Sequence, residues 1–184
     1  MGQRLNIEIH ENGKCLANAY YHWSAYTQTA LELTRNILDY YPRAKSRYGL
    51  RCAIELLSHT GAKIPTDELM SQGVNEELAV VLGNDANRDD GLIAISEKGM
   101  KETRAWEEGR VIIDIGRSDI SFNVFCTWQD EDFNEQFPNQ RYVPFDNNHI
   151  SFADFKEFAS NFEEVEGCCY KFVNDTDYYT TAIY

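Results

Sequence analysis

Arg4, Glu8, His10, Tyr20 and His22 recur at alternating positions near the start of the chain. Between them these side-chain types could hold a phosphate, take a proton from a hydroxyl and return one to a leaving oxygen. Metal-independent RNA cleavage needs those three roles. Whether the residues meet depends on the element that carries them. Leu5, Ile7 and Ile9 alternate with Asn6, Glu8 and His10, the period of a half-buried strand. Asn12-Gly13 then reads as a hairpin turn into a second run from Cys15 to Trp23. A tight two-residue turn with unbroken pairing would set Ile7 opposite Asn18, and burying an unpartnered amide costs about 1–3 kcal/mol. A looser turn, with Gly13 left-handed and a one-residue bulge, pairs Ile9 with Ala17, Ile7 with Ala19 and Leu5 with Tyr21. All of those residues are apolar, so the bulged register is expected, with Trp23 also inward. Arg4, Glu8, His10, Tyr20 and His22 then share the other, exposed face. Polar residues point outward on any half-exposed hairpin, so the grouping is a register expectation first and a candidate catalytic set second.

The elements that would position these residues follow in order. Ser24 is a plausible N-cap for a helix to about Tyr41, with Tyr26, Ala30, Leu33, Ile37 and Tyr41 as its apolar stripe and Pro42 as its stop. A second helix turns Leu50, Ala53, Ile54 and Leu57 inward and ends before Gly61. Its first turns are expected to carry Arg43, Lys45, Arg47 and Arg51, the chain's dense basic cluster and a candidate phosphate holder. Pro65-Thr66 and Asn75 open two short helices, the second closed by Gly83. LIAIS reads as a strand, and the piece from Glu97 to Glu108 leans towards helix. VIIDI turns through Gly116-Arg117-Ser118 into DISFNVFCTWQ, a strand pair. Residues 129–149 form a long acidic, aromatic loop, a candidate functional segment. Ser151 and Asp154 resemble a capping box for a helix lined by Phe152, Phe155, Phe158, Ala159 and Phe162. CCYKFV and YYTTAIY would close the chain as a hairpin around NDTD. The expected fold is α+β: N-terminal β-hairpin, central helices, antiparallel strands, a C-terminal Phe-rich helix and a closing hairpin. Residues 1–184 read as one domain, with 129–184 as its acidic lobe.

Charge separates the two ends. Residues 1–63 carry eight Lys/Arg against five Asp/Glu, whereas residues 64–184 carry nine against twenty-five, and the whole chain stands at −13. Nucleic-acid phosphates would repel such a chain, and a basic protein surface would attract it. Asp130, Glu131, Asp132 and Glu135 interleave with Phe133 and Phe137, and Glu163, Glu164 and Glu166 close the Phe-rich helix. Carboxylates and aromatics on protruding segments imitate phosphates and bases, so these residues are the candidate partner-binding set, in effect a DNA mimic. A surface that merely confers solubility would look similar.

Other chemistries lack their motifs. Five cysteines without framework spacing argue against a disulfide scaffold, and Cys168-Cys169 has no second pair at zinc-ligand spacing. The cysteines are read as small buried thiols. NDANRDDG sets Asp85, Asn87 and Asp89 as in a calcium loop, but Gly91 and Glu97 each come one residue late. Asp114 and Asp119 flank a turn without a third ligand. Walker, dinucleotide and nucleophile-elbow motifs do not occur. No metal or cofactor is expected. The N-terminus lacks an apolar signal region, Asn6 breaks a myristoylation pattern, and no apolar run suffices to cross a bilayer. The expected setting is the cytoplasm, without a membrane partner.

The stretch GQRLNIEIHENGKCLANAYYHWSAYTQTALELT, Gly2 to Thr34, resembles the start of small proteins encoded by phages and mobile elements of bacteria. Some acidic proteins of that setting are anti-CRISPR inhibitors of type II effector nucleases. The resemblance implies a host-defence antagonist in a bacterial cell. Some such inhibitors block a nucleic-acid channel, and others act enzymatically, including on guide RNA. Three functions therefore stand as expectations: an acidic inhibitor of a CRISPR nuclease, a metal-independent ribonuclease acting on guide RNA, and a housekeeping protein-interaction domain.

Overall fold

Alternation along the first two strands decides the layering. The computed structural model describes residues 4–25, 27–84, 91–105, 107–124, 145–160, 162–165, 169–172 and 181–182. Strands β1 (Leu5–Glu11) and β2 (Lys14–Tyr21) pair antiparallel, with Leu5 opposite Tyr21, Ile7 opposite Ala19 and Ile9 opposite Ala17. That is the expected apolar register, and all six residues are buried. The bulge, however, lies inside β2 and not at the turn. Asn12 and Gly13 have φ of 53° and 84°, a tight turn with both residues left-handed, and Glu11 pairs directly with Lys14. The register then shifts between Ile9 and His10, leaving Leu16 as the extra residue.

The main sheet has six strands in the order β3-β2-β1-β4-β5-β6, where β3 is Leu92–Ala94, β4 Gly109–Asp114, β5 Asp119–Val124 and β6 Phe145–Ser151. β1 is central and runs parallel to β4, while its other neighbour and the remaining pairs are antiparallel. One face is apolar: Leu5, Ile7, Ile9, Ala17, Ala19, Ile93, Val111, Ile113, Ile120 and Phe122 are at most 1% exposed. Helix α2 (Gly49–His59) lies against β1 and β2, and α1 (Thr27–Tyr40) against β4. They contribute Ala30, Leu31, Ile37, Cys52, Ala53, Leu56 and Leu57, and each large apolar side chain so buried stabilises by about 1.5–3 kcal/mol. Leu33, Tyr41, Leu50 and Ile54 pack at the margin, while Tyr26 lies outside the described residues. Thr34, a buried polar residue of α1, satisfies its hydroxyl on the Ala30 carbonyl at 2.6 Å.

Two short helices, α3 (Thr66–Ser71) and α4 (Glu76–Leu82), pack on each other, and the Asn75 side chain caps α4 by accepting from Glu77 and Leu78. Helix α5 (Glu97–Arg104) fills the ambiguous stretch after β3, with the Ser96 hydroxyl accepting from the Gly99 N–H. Helix α6 (Phe155–Ser160) follows the Ser151–Asp154 capping contact and stacks Phe155 on Phe122.

Four expectations are corrected. β6 begins at Phe145, inside the expected loop of 129–149, because β5 offers it an open edge. Phe162 starts a strand, β7 (Phe162–Val165), in place of continuing the Phe-rich helix. β7 joins β8 (Cys169–Phe172) and β9 (Thr181–Ala182) in a second sheet, so the expected closing hairpin gains a third strand. Trp23 lies beyond the end of β2 and is 55% exposed, not inward. No helix among the described residues is long and apolar enough to cross a membrane.

Candidate functional site

The face of β1 and β2 opposite the apolar core carries Asn6, Glu8 and His10 on one strand and Tyr20, Asn18 and Cys15 on the other. It was expected to be exposed, and it is not. Asn6 and Asn18 are 0% exposed, Glu8 1% and Tyr20 8%. The reason is α5, which packs over β2 and lowers its last turn onto this face. The Asn18 side-chain amide donates to Thr103 Oγ1 at 2.7 Å and to Asn6 Oδ1 at 3.0 Å. Asn6 in turn donates to Glu107 at 2.9 Å. Asn18 Oδ1 is a buried oxygen without a hydrogen-bond partner among the described residues.

Glu8 is the centre of this network. Arg104 Nε donates to Glu8 Oε1 at 2.6 Å, and Arg110 Nε stands 3.6 Å from the same oxygen. The other oxygen, Oε2, lies 2.7 Å from His10 Nε2. Arg110 is also held by Glu107, so two carboxylates and two guanidiniums alternate beneath α5. Burial pushes the Glu8 carboxyl up, but the hydrogen bonds from His10 and Arg104 and the charges of Arg104 and Arg110 outweigh it, leaving the pKa at about 2. A carboxylate held that low is a poor general base near neutral pH. Burial and the neighbouring Glu8 charge push the Cys15 thiol up to about 12, so it is a thiol and not a ready nucleophile.

Tyr20 and His22 belong to a different place. Beyond the covered network, Arg4, Tyr20, His22, Leu92, Glu102, Thr103 and Ala105 line a cleft of about 420 Å³. The Tyr20 hydroxyl sits 2.6 Å from His22 Nδ1, fixing the ring, and His22 packs edge-on against Trp23 with centroids 4.8 Å apart. The candidate catalytic set is thus divided: Arg4, Tyr20 and His22 share the cleft, while Glu8 and His10 sit with Arg104, Arg110 and Cys15.

Arg43, Lys45, Arg47 and Arg51 are all exposed, but they are not clustered on the first turns of α2. Arg43 ends a short 3-10 turn and only Arg51 lies on α2, because Ala44 to Tyr48 connect the two. Arg47 donates to the Pro42 carbonyl at 2.9 Å, and the Lys45 N–H donates to Glu55 at 3.1 Å. The cluster belongs to the helical layer on the apolar side of the sheet, away from the Tyr20–His22 cleft. Of the acidic set, Asp130, Glu131, Asp132, Phe133, Glu135 and Glu166 lie outside the described residues, as do Asp85, Asn87 and Asp89. Glu163 and Glu164 are on β7, opposite Lys171 and Tyr170, and not at a helix end.

Comparison with family models, with curated proteins and with solved structures finds no match. The site therefore rests on its own geometry.

Asp114 proves to be a structural carboxylate, accepting main-chain N–H groups from two turns. Asp119 lies 2.7 Å from His149 Nδ1. The sequence pattern gives no role to Arg104, Glu107 or Arg110, and Cys15, expected as a small buried thiol, is only partly buried. Arg110 carries a usable signal, since it alternates with Val111 and Ile113 and so must face away from the core. Nothing local marks Arg104 or Glu107: the packing of α5 brings Arg104 to Glu8, and the pairing of β1 with β4 brings Glu107 and Arg110 alongside.

Proposed function

We propose that the protein is an anti-defence protein of a phage or mobile element that binds and inhibits a basic nucleic-acid-handling effector, such as a CRISPR nuclease, through an acidic surface. The observation that carries this reading is the corner formed by α3 and α4. In α4 only Ala79 is buried, whereas Leu78, Val80, Val81 and Leu82 are 51–78% exposed, with Met70 of α3 at 44%. Grouped exposed aliphatics of this kind mark interaction surfaces on otherwise well-packed proteins. Asp67, Glu76 and Glu77 are exposed on the same two helices. An apolar patch rimmed by carboxylates complements an apolar contact ringed by Lys and Arg. A second copy of this chain would set one acidic rim on another, so a basic partner is favoured. The surplus of sixteen negative charges over residues 64–184 supports the same choice.

The test is titration of a guide-loaded type II effector with the protein at several salt concentrations, following displacement of target DNA. Displacement at equimolar protein, weakening with salt, is expected. Glu76→Lys with Glu77→Lys, and separately Val81→Lys, are expected to weaken binding at least about tenfold. Unchanged binding by both variants, or none by the parent, overturns the reading.

A second reading has its own observation, the Tyr20–His22 pair beside Arg4 in an open cleft. There His22 would move the proton in metal-independent cleavage of guide RNA, oriented by the Tyr20 hydroxyl, with Arg4 facing phosphate. Incubation of guide-like RNA with substoichiometric protein, alone and with the effector, tests it on a denaturing gel. Cleavage lost in His22→Ala supports it, and intact RNA in both incubations overturns it.

A further inference from the structure

We infer that Glu8, His10 and Cys15 form a binding site for one zinc ion, with water completing the coordination. The strand irregularity is what assembles it. With unbroken pairing from Ile9–Ala17 outward, Leu16 would stand opposite His10. The bulge absorbs Leu16 and sets Cys15 there instead, on the face that carries Glu8 and His10. Bulges of this kind commonly re-aim one side chain beside a site.

The ligand atoms of the three residues lie within 4.8 Å of one another. Glu8 Oε2 and His10 Nε2 are 2.7 Å apart. Zinc bonds of about 2.0–2.1 Å to N and O and about 2.3 Å to S place tetrahedral ligand atoms about 3.3–3.6 Å apart. The carboxylate and imidazole need only part slightly and the thiol close in, which side-chain rotation supplies. The set is one sulfur, one imidazole and one carboxylate, a choice that selects zinc over magnesium or calcium. Three protein ligands leave the fourth position to solvent, and the His10 side chain remains 13% exposed as the route in.

The arginines divide the labour on Glu8. Arg104 and Arg110 engage Oε1 and leave Oε2, the atom facing His10, for the cation. A guanidinium behind a ligating carboxylate fixes its orientation, as outer-shell partners do. Its positive charge lowers affinity for any dication, so the thiolate supplies the selectivity. Binding forms a Zn–S bond as the Cys15 S–H bond breaks, and the proton leaves to buffer. Glu8 and His10 donate lone pairs, and no electron is transferred.

The experiment uses the whole protein, stripped by chelator and titrated with Co²⁺ and then Zn²⁺. A thiolate-to-cobalt charge-transfer band saturating at one equivalent, and bleached by Zn²⁺, is expected. Calorimetry in two buffers of different ionisation enthalpy is expected to report about one proton released per zinc. Cys15→Ser removes the band, and His10→Gln weakens zinc binding at least about tenfold with the band displaced. Cys52→Ser leaves both unchanged, and circular dichroism verifies that each variant is folded. Absence of the band in the parent, or a band of full intensity in Cys15→Ser, overturns the inference. Because the readout involves neither an effector nor RNA, its result is independent of both functional readings.

Discussion

Asp114 is bonded to the turn residue Asn12, more than a hundred positions away in the chain. Its Oδ1 accepts the Asn12 N–H at 3.0 Å, together with those of Gly116 and Arg117 at 3.0 and 3.1 Å. Its Oδ2 takes the Gly13 N–H at 2.8 Å. One carboxylate thus joins the β1–β2 turn to the β4–β5 turn. The turns approach so closely that a Cβ on Gly116 would lie 2.9 Å from the Asn12 main-chain nitrogen. Asp114→Ala leaves four N–H groups to water and is expected to cost about 2 kcal/mol in denaturant unfolding. Gly116→Ala is expected to destabilise by forcing the turns apart.

The same carboxylate predicts a pH dependence. Burial raises its pKa, but the N–H groups of Gly13, Arg117, Asn12 and Gly116 outweigh this and hold it below the ordinary aspartate value. Its folded pKa is therefore lower than its unfolded one. The stability this contributes is fully present above the unfolded aspartate pKa, about 4, and is lost as pH falls through the lower folded value. Thermal unfolding of the parent from pH 7 to pH 3 is expected to show that loss, and Asp114→Asn to show a shallower one. Parallel curves would contradict it.

Glu8 makes a sharper demand on its partners. Its charge is buried and Arg104 is the closest guanidinium, so removing either side leaves the other short of its counter-charge. Glu8→Ala is expected to destabilise by about 3–5 kcal/mol. In a double-mutant cycle with Arg104→Ala, the combined loss is expected to be clearly less than the sum of the two. Additive losses in urea unfolding would show that the pair is not coupled.

The exposed face of α4 predicts the reverse pattern. Val81 is 78% exposed, so Val81→Lys is expected to change stability by no more than about 0.5 kcal/mol. Loss of effector binding without loss of thermal stability would assign this side chain to an interface. A marked fall in unfolding temperature would assign it to the fold.

Much of the fold is legible in local pattern. Alternating Ile and Ala, with a costly Asn as the rejected alternative, set the hairpin register. Asn75 and Ser151 mark helix starts because capping is short-range chemistry, whereas the Ser96 cap of α5 emerges only from the structure. The bulge position was not legible, since Asn12-Gly13 suits both a tight turn and a looser one, and only the finished pairing shows that Leu16 is the extra residue. β6 was missed because FDNNH neither alternates nor favours a strand, and β5 supplies what its sequence lacks. The site was half legible. Parity alone put Glu8, His10, Tyr20 and His22 on one face, but parity says nothing about a cover. Glu107 and Arg110 arrive through the β1–β4 pairing and Arg104 through the packing of α5, events no local window contains.

That parallel pairing also sets a timetable for synthesis. β1 and β2 are adjacent in the chain, yet the strand for the other edge of β1, Gly109–Asp114, follows about a hundred residues later, about 5–20 s at ordinary elongation rates. Throughout that wait Leu5, Ile7 and Ile9 belong to a hairpin with one unpaired edge, a template for pairing with another nascent chain. The centre of the finished sheet is thus, while the protein is being made, its most vulnerable margin.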